Sequence, residues 1–215
     1  NLAFSALVLL VGFLILPRIV FGSAYADMRL APYMIATAVL AVRFRSETVM
    51  TMARRLAILG VAFYAMRLIT TTISLATAAN DQQAKLEALG HVPRGARLVS
   101  LVGQECQSLW KLARNTHLPA MAIVRRDAFS NDQWAVEGAN LLSVRYAKAG
   151  HFFADPSQIV RPAECPNRDI WAVDRSLGAI PRDAFDYVWL VDVPSHDPRL
   201  LDGMTLIWRG PGSLL

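Results

Sequence analysis

The sequence predicts two to three transmembrane helices over residues 1–79, followed by a small extracytoplasmic α/β domain over residues 80–215. Three observations carry this. Of the 215 residues 54% are hydrophobic, and the excess is concentrated in the first third. That third holds seven arginines, no lysine and two acids, Asp27 and Glu47, whereas residues 80–215 balance fifteen basic against fifteen acidic side chains. Beyond Asn80, short apolar, β-favouring runs alternate with helical patterns, which is the signature of an α/β fold.

The first apolar run is Leu2–Leu16, with Pro17-Arg18 before Ile19–Phe21. Counted through Phe21 it offers about twenty residues, enough for a hydrocarbon core of roughly 30 Å. A signal peptide is the alternative, because Ala24-Tyr25-Ala26 resembles a small-x-small cleavage site. The second run, Leu30–Val42, spans only if Met28–Phe44 is counted with Arg29 and Arg43 snorkelling; a re-entrant or interfacial segment is its alternative. The third is Arg54–Ala79, with Arg67 as its single charge after the opening arginine pair. Its Gly60, Tyr64, Arg67, Thr71, Ser74 and Ala78 recur at intervals of three and four, so a small and polar stripe runs down one side. Arg67 then faces either a helix-packing seam, satisfied by a carbonyl or Asp27, or a cavity holding an anion such as a lipid phosphate.

The connection Arg43–Arg55 carries four arginines, and the positive-inside rule puts such a loop in the cytoplasm. The Gly22–Arg29 loop and everything after Ala79 are then outside, which for a bacterial inner membrane is the periplasm. Because the chain opens with Asn1 inside an apolar run, a longer protein with earlier helices is expected.

In the soluble part, Asn80 reads as the N-cap of a helix over Asn80–Leu89. Strands are expected at Arg97–Val102, Ala120–Val124, Leu141–Tyr146, Tyr187–Val193 and Met204–Trp208, in a sheet of four to five strands. Helices are expected over Gln104–Arg114 and Ile170–Leu177, with loop over Asn131–Gly138 and Gly150–Pro166 irregular.

The isoelectric point near 9.6 would suit a nucleic-acid partner, but the basic residues flank apolar runs, so none is expected. Gly103 stands alone where a dinucleotide site needs G-x-G-x-x-G, and no cysteine spacing fits a metal, so neither cofactor nor metal is expected. His91, His117, His151 and His196 are scattered; His151-Phe-Phe-Ala-Asp155 could set an imidazole near a carboxylate. Cys106 and Cys165 are either a disulfide or, for Cys106, a buried thiol. Asp27 and Arg29, on a short outer loop against the membrane, either bind a phosphorylated lipid or cap neighbouring helices. Together with Arg67 they are the candidate substrate-binding residues.

In layout the chain resembles the C-terminal end of bacterial polytopic glycosyltransferase-like membrane proteins of the GT-C type. The matching stretches are Asp27-Met-Arg-Leu-Ala-Pro32 after an apolar span, Val92-Pro-Arg-Gly-Ala-Arg-Leu-Val99, and Asp186-Tyr-Val-Trp-Leu190. The resemblance implies a membrane enzyme using a polyprenyl-phosphate-linked sugar in cell-envelope glycan or lipid modification. In that family the catalytic acid usually lies in an early outer loop, which would precede Asn1, so no catalytic residue is carried over. The competing expectation is a non-catalytic membrane-anchored periplasmic domain that binds a glycan or an assembly partner.

Overall fold

The computed structural model describes residues 1–17, 19–20, 23–24, 26–42, 50–106, 113–135, 141–165 and 169–215. The chain divides into two compact units, one built on Asn1–Thr70 and the other on Thr71–Ala135 with Leu142–Leu215. It comprises one long apolar helix and a small α/β sheet domain, preceded by two shorter apolar helices.

The first unit opens with helix α1 (Leu2–Ile15), whose first turn is capped by the Asn1 side chain accepting from the Ala3 N–H at 3.3 Å. Pro17 disfavours the helical basin for the residue before it, and Leu16 is extended, its N–H donating to the Gly12 carbonyl. Ile19 and Val20 therefore do not lengthen the helix. They form β1 (Ile19–Val20), antiparallel to β2 (Ser23–Ala24). Helix α2 (Ala31–Ala41) starts with Pro32 in its first turn and stops where Val42 turns extended. The two helices pack together, with Leu30 Cδ1 standing 3.4 Å from where a Cβ on Gly12 would be.

These limits correct the expectation of two to three spans. At 14 and 11 residues, α1 and α2 reach roughly 21 and 17 Å, short of a hydrocarbon core of about 30 Å. Helix α3 (Met50–Leu86), 37 residues, is the one described helix long and apolar enough to cross a membrane by length and composition. Its threonines turn their hydroxyls back onto the helix: Thr70 donates to the Met66 carbonyl at 2.9 Å and Thr77 to the Ser74 carbonyl at 3.0 Å. Asn80 does not begin a helix, because the residues before it are already helical and leave no orphan N–H for it to cap. Of the basic connection Arg43–Arg55, residues 43–49 lie outside the described residues, as do 107–112 of the expected helix over 104–114 and 136–138 of the expected loop.

In the second unit, β3 (Arg97–Gly103) is the organising strand. Its chain-order successors are α4 (Met121–Arg126), β4 (Phe129–Ser130), β5 (Ile159–Arg161), β6 (Trp171–Ala172), α5 (Val173–Ala179), β7 (Tyr187–Val191), β8 (Arg209–Gly210) and β9 (Ser213–Leu214). Across the sheet the order is β6-β5-β3-β7-β9-β8, with β4 also on β3. Strands β4, β5 and β7 run parallel to β3, and the β9–β8 hairpin adds antiparallel to β7. Alternate residues feed two cores. Leu98, Val102, Trp189 and Val191 pack with Leu89, Val92 and Ala122 on one face; Val99, Leu101 and Leu190 pack with Phe152, Leu177 and Phe185 on the other.

One edge of β3 is shared by two short strands. Strand β4 pairs with Arg97 and Leu98, and β5 with Val102 and Gly103, leaving Ser100 between them. The fully buried Asn131 fills that gap: its Oδ1 accepts from the Ser100 N–H at 2.8 Å and its Nδ2 donates to the Ser100 carbonyl at 3.1 Å. A side-chain amide thus stands in for one residue of strand. At the start of β3, the Arg97 guanidinium grips the Asp186 carboxylate with two nitrogens, and the Arg97 N–H donates to Asp186 Oδ2 at 2.9 Å.

Several expected elements differ. Ala120–Val124 lies in a short 3-10 turn and α4, since Pro119 presets a helical φ and a five-residue apolar run has no period of its own. Leu141–Tyr146 is irregular, with Tyr146 drawn into a ring cluster with Phe129 (centroids 4.9 Å apart) and Phe185. Met204–Trp208 has no regular secondary structure; strand β8 begins only at Arg209, although Trp208 and Leu215 exchange backbone hydrogen bonds at 3.0 Å. The sheet has seven strands rather than four to five: β3 and β7 fall on expected strands, β5 lies in the stretch expected to be irregular, and the two-residue β4, β6, β8 and β9 are too short to leave a pattern.

Asn131→Leu keeps the branched shape and deletes both bonds to Ser100, so it is expected to cost about 3 kcal/mol, read by urea denaturation. Arg97 holds the Asp186 carboxyl below the ordinary carboxylate range. The depressed value means that the stability it contributes is complete above that range and is lost as pH falls through it toward the folded value. Melting profiles of Asp186→Asn should accordingly fall less steeply than wild type between roughly pH 4 and pH 2.

Candidate functional site

In parallel sheets the natural crevice lies outside the carboxyl ends of the strands, where the strand order reverses direction. Here β5 and β6 lie to one side of β3 and β7 to the other, so the reversal falls between β3 and β7. A cleft of about 470 Å³ opens there, with Gln104, Glu105, Arg114, Asn115, Thr116 and Asp192 among its walls.

Close backbone packing builds its floor. A Cβ on Gly103 would come within 1.9 Å of the Asp192 carbonyl oxygen, so only glycine ends β3 here. Asp192 has φ of 47°, and its N–H donates to the Gly212 carbonyl at 2.6 Å. Lys85, only 3% exposed, bonds Asp81 one turn earlier in α3 and stands 3.3 Å from Asp192 Oδ2. The Lys85 hydrogen bond is the main reason that Asp81 titrates below its ordinary range. Asn115 bridges the same carboxylates, donating to Asp192 Oδ2 at 2.8 Å and Asp81 Oδ2 at 3.2 Å. That leaves Asn115 Oδ1 buried and without a partner. Arg114 anchors the segment to α3 by donating to the Ser74 carbonyl at 2.7 Å and hydroxyl at 2.9 Å.

Cys106 and Cys165 form a disulfide, with Cα atoms 5.4 Å apart. It joins the segment leaving β3 to the one leaving β5, beside Glu105 and Pro162 of the cleft wall.

A second polar cluster lies behind Thr116. His117 precedes the 3-10 turn at Leu118–Ala120, Asp132 follows β4, and Asp155 follows the turns of Ala147–Phe153. His117 Nδ1 is 2.8 Å from Asp132 Oδ1 and 3.8 Å from Asp155 Oδ1. Asp132 is 4% exposed, and its Oδ2 accepts from the Ala120 N–H at 2.9 Å. Burial pushes its carboxyl above the ordinary range, against the pull of the His117 hydrogen bond. The fully buried Gln158 donates from Nε2 to Asp155 Oδ1 and, at 3.2 Å, to Asp132 Oδ1.

Asp27, Arg29 and Arg67 share no hydrogen bond among the described residues. Asp27 sits in the turn before α2 with Oδ1 buried and unpartnered, Arg29 is exposed, and Arg67 is exposed on α3. No ion pair joins these three among the described residues. Among the described residues His151 makes no hydrogen bond or ion pair with a carboxylate. Its ring stacks on Trp171 at 3.7 Å, with Arg175 3.9 Å from the same indole, and burial lowers its pKa, helped by Arg175. The expected His151–Asp155 partnership is thus replaced by His117 with Asp155. No sequence signal marks that choice: His117 lies 15 residues from Asp132 in a loop, and neither residue falls at a helical or strand spacing.

Comparison with protein-family models, curated proteins and solved structures finds no match to this chain.

The disulfide closes a separation of 59 residues, so its loss is expected to cost about 2–4 kcal/mol. Reduction should retard the chain on a denaturing gel and lower its urea midpoint, and Cys106→Ser should reproduce both effects without added reductant.

Proposed function

We propose that the chain is a membrane-tethered α/β module that holds a sugar in the cleft between β3 and β7, as part of a glycosyltransferase-like membrane protein working on lipid-linked sugars of the bacterial envelope. The observation that carries this is Asn115: both its N–H bonds go to Asp81 and Asp192, and its buried Oδ1 is an unanswered acceptor in the cleft wall. Opening of the wall that uncovers this oxygen lets a sugar hydroxyl donate to it and accept from Arg114 or Gln104, which line the same cleft. Amide, guanidinium and carboxylate groups set close together are suited to hydroxyls, which give and take hydrogen bonds at once.

The tether is α3, with Arg54 and Arg55 near its first turn and a charge-balanced domain beyond its last. On the positive-inside rule the arginine pair stays in the cytoplasm and the α/β domain is periplasmic. The disulfide supports the same side, since such bonds persist in oxidising compartments. On this reading Arg67, exposed on an apolar helix, meets a lipid phosphate.

The test is titration of the full chain in nanodiscs with neutral mono- and oligosaccharides and with a polyprenyl-phosphate sugar. Saturable binding that weakens at least tenfold in Asn115→Ala is expected, with Arg67→Leu weakening only the lipid-linked ligand. Absence of saturable sugar binding, or binding indifferent to Asn115→Ala, would overturn the reading.

A further inference from the structure

We propose that His117, Asp132 and Asp155 form a binding site for one divalent transition-metal ion, Zn²⁺ or Mn²⁺. The site lies behind the sugar cleft and does not depend on what the cleft binds.

The geometry is that of ligands waiting for an ion. The available atoms, His117 Nδ1 and one oxygen from each carboxylate, lie within 4.8 Å of one another. Ligands about 2.1 Å from a common tetrahedral centre are about 3.4 Å apart. The observed separations of 2.8 Å and 3.8 Å from His117 Nδ1 bracket that value. Three separate segments supply the groups, so their convergence is a product of the fold and not of local sequence.

Charge points the same way. Two carboxylates, one of them 4% exposed, lie together, and among the described residues the His117 imidazole is the basic side chain within 4 Å of them. Buried negative charge of this kind is stabilised by a cation or by proton uptake.

Gln158 is an independent indication. It is fully buried, its Nε2 touches both carboxylates, and its Oε1 has no partner. A half-turn of the terminal amide exchanges the two atoms and brings a carbonyl oxygen between the carboxylates. That arrangement is repulsive in an empty pocket and favourable around a cation, for which the carbonyl is a fourth ligand.

The donor set selects the class of ion. One imidazole among oxygens suits borderline first-row ions, whereas Ca²⁺ takes six to eight oxygens and Mg²⁺ keeps most of its water. The His117 side chain is 57% exposed, which gives the ion a way in and leaves coordination positions for water. Because Thr116 lines the cleft next to His117, a bound ion also braces that wall.

The experiment uses the untagged full chain in nanodiscs, stripped with chelator and titrated with Zn²⁺ and with Mn²⁺ by calorimetry, with bound metal counted by mass spectrometry. One equivalent per chain is expected, with a raised melting temperature. His117→Ala, a change at an exposed ring, should keep the fold by circular dichroism and weaken the affinity at least tenfold. Asp155→Asn should do the same, and His91→Ala should leave binding unchanged. Failure of the wild type to bind either ion stoichiometrically would overturn the proposal. So would full affinity in His117→Ala, or a site filled equally well by Ca²⁺ or Mg²⁺ in wild type and in that variant.

Discussion

Strand β3 is buried on both faces and paired along both edges, and the α/β domain is arranged around satisfying it. Its five central residues are buried, so every backbone polar group there must find a partner inside the protein. Most find one in β4, β5 or β7. Ser100 cannot, because it falls between two short strands, and the amide of Asn131 takes the place of the missing residue. That substitution has a consequence for its neighbours. Anchoring Asn131 to Ser100 fixes the adjacent Asp132, whose carboxylate then receives the Ala120 N–H and the His117 ring. A backbone requirement at the centre of the sheet therefore sets the position of a buried acid.

The same strand organises the cleft. Gly103 ends β3 so close to Asp192 that no larger residue fits, and this approach brings the segments after β3 and β7 to one place. Lys85 then enters from the last turn of α3 and is held by two carboxylates. A buried ammonium with two acids stabilises little in itself, since its desolvation offsets most of the attraction. What it contributes is specificity: it ties the end of the apolar helix to the carboxyl edge of the sheet. The disulfide restrains the neighbouring segments, so the polar walls are preorganised around open space.

Much of the fold was legible in residue pattern. The apolar stretch of α3, the buried runs of β3 and β7, and the split between a basic apolar third and a neutral remainder all follow from composition over long windows, where periodicity and hydropathy average reliably. Short elements escaped. Asn80 has the chemistry of a cap but lies within a helix already under way, and Ala120–Val124 is too brief for its period to choose between strand and helix. The candidate sites were less legible still. Asp27, Arg29 and Arg67 stand out in the sequence as charges in or beside apolar runs, whereas Asn115, Asp132 and Gln158 carry no local mark.

That a long apolar helix joins an α/β domain follows from residue content, because hydrophobicity and charge act through burial alone and need no knowledge of contacts. Residue content also limits any disulfide within the chain to Cys106 with Cys165, its two cysteines. Which polar groups meet is set by the folded chain. His117, Asp132 and Asp155 come from three segments, and Asn115 reaches Asp81 and Asp192 across 34 and 77 residues. Hydrogen bonds and ion pairs act over a few ångströms, so their partners are set by how the strands cross and close, which no short stretch of chain encodes.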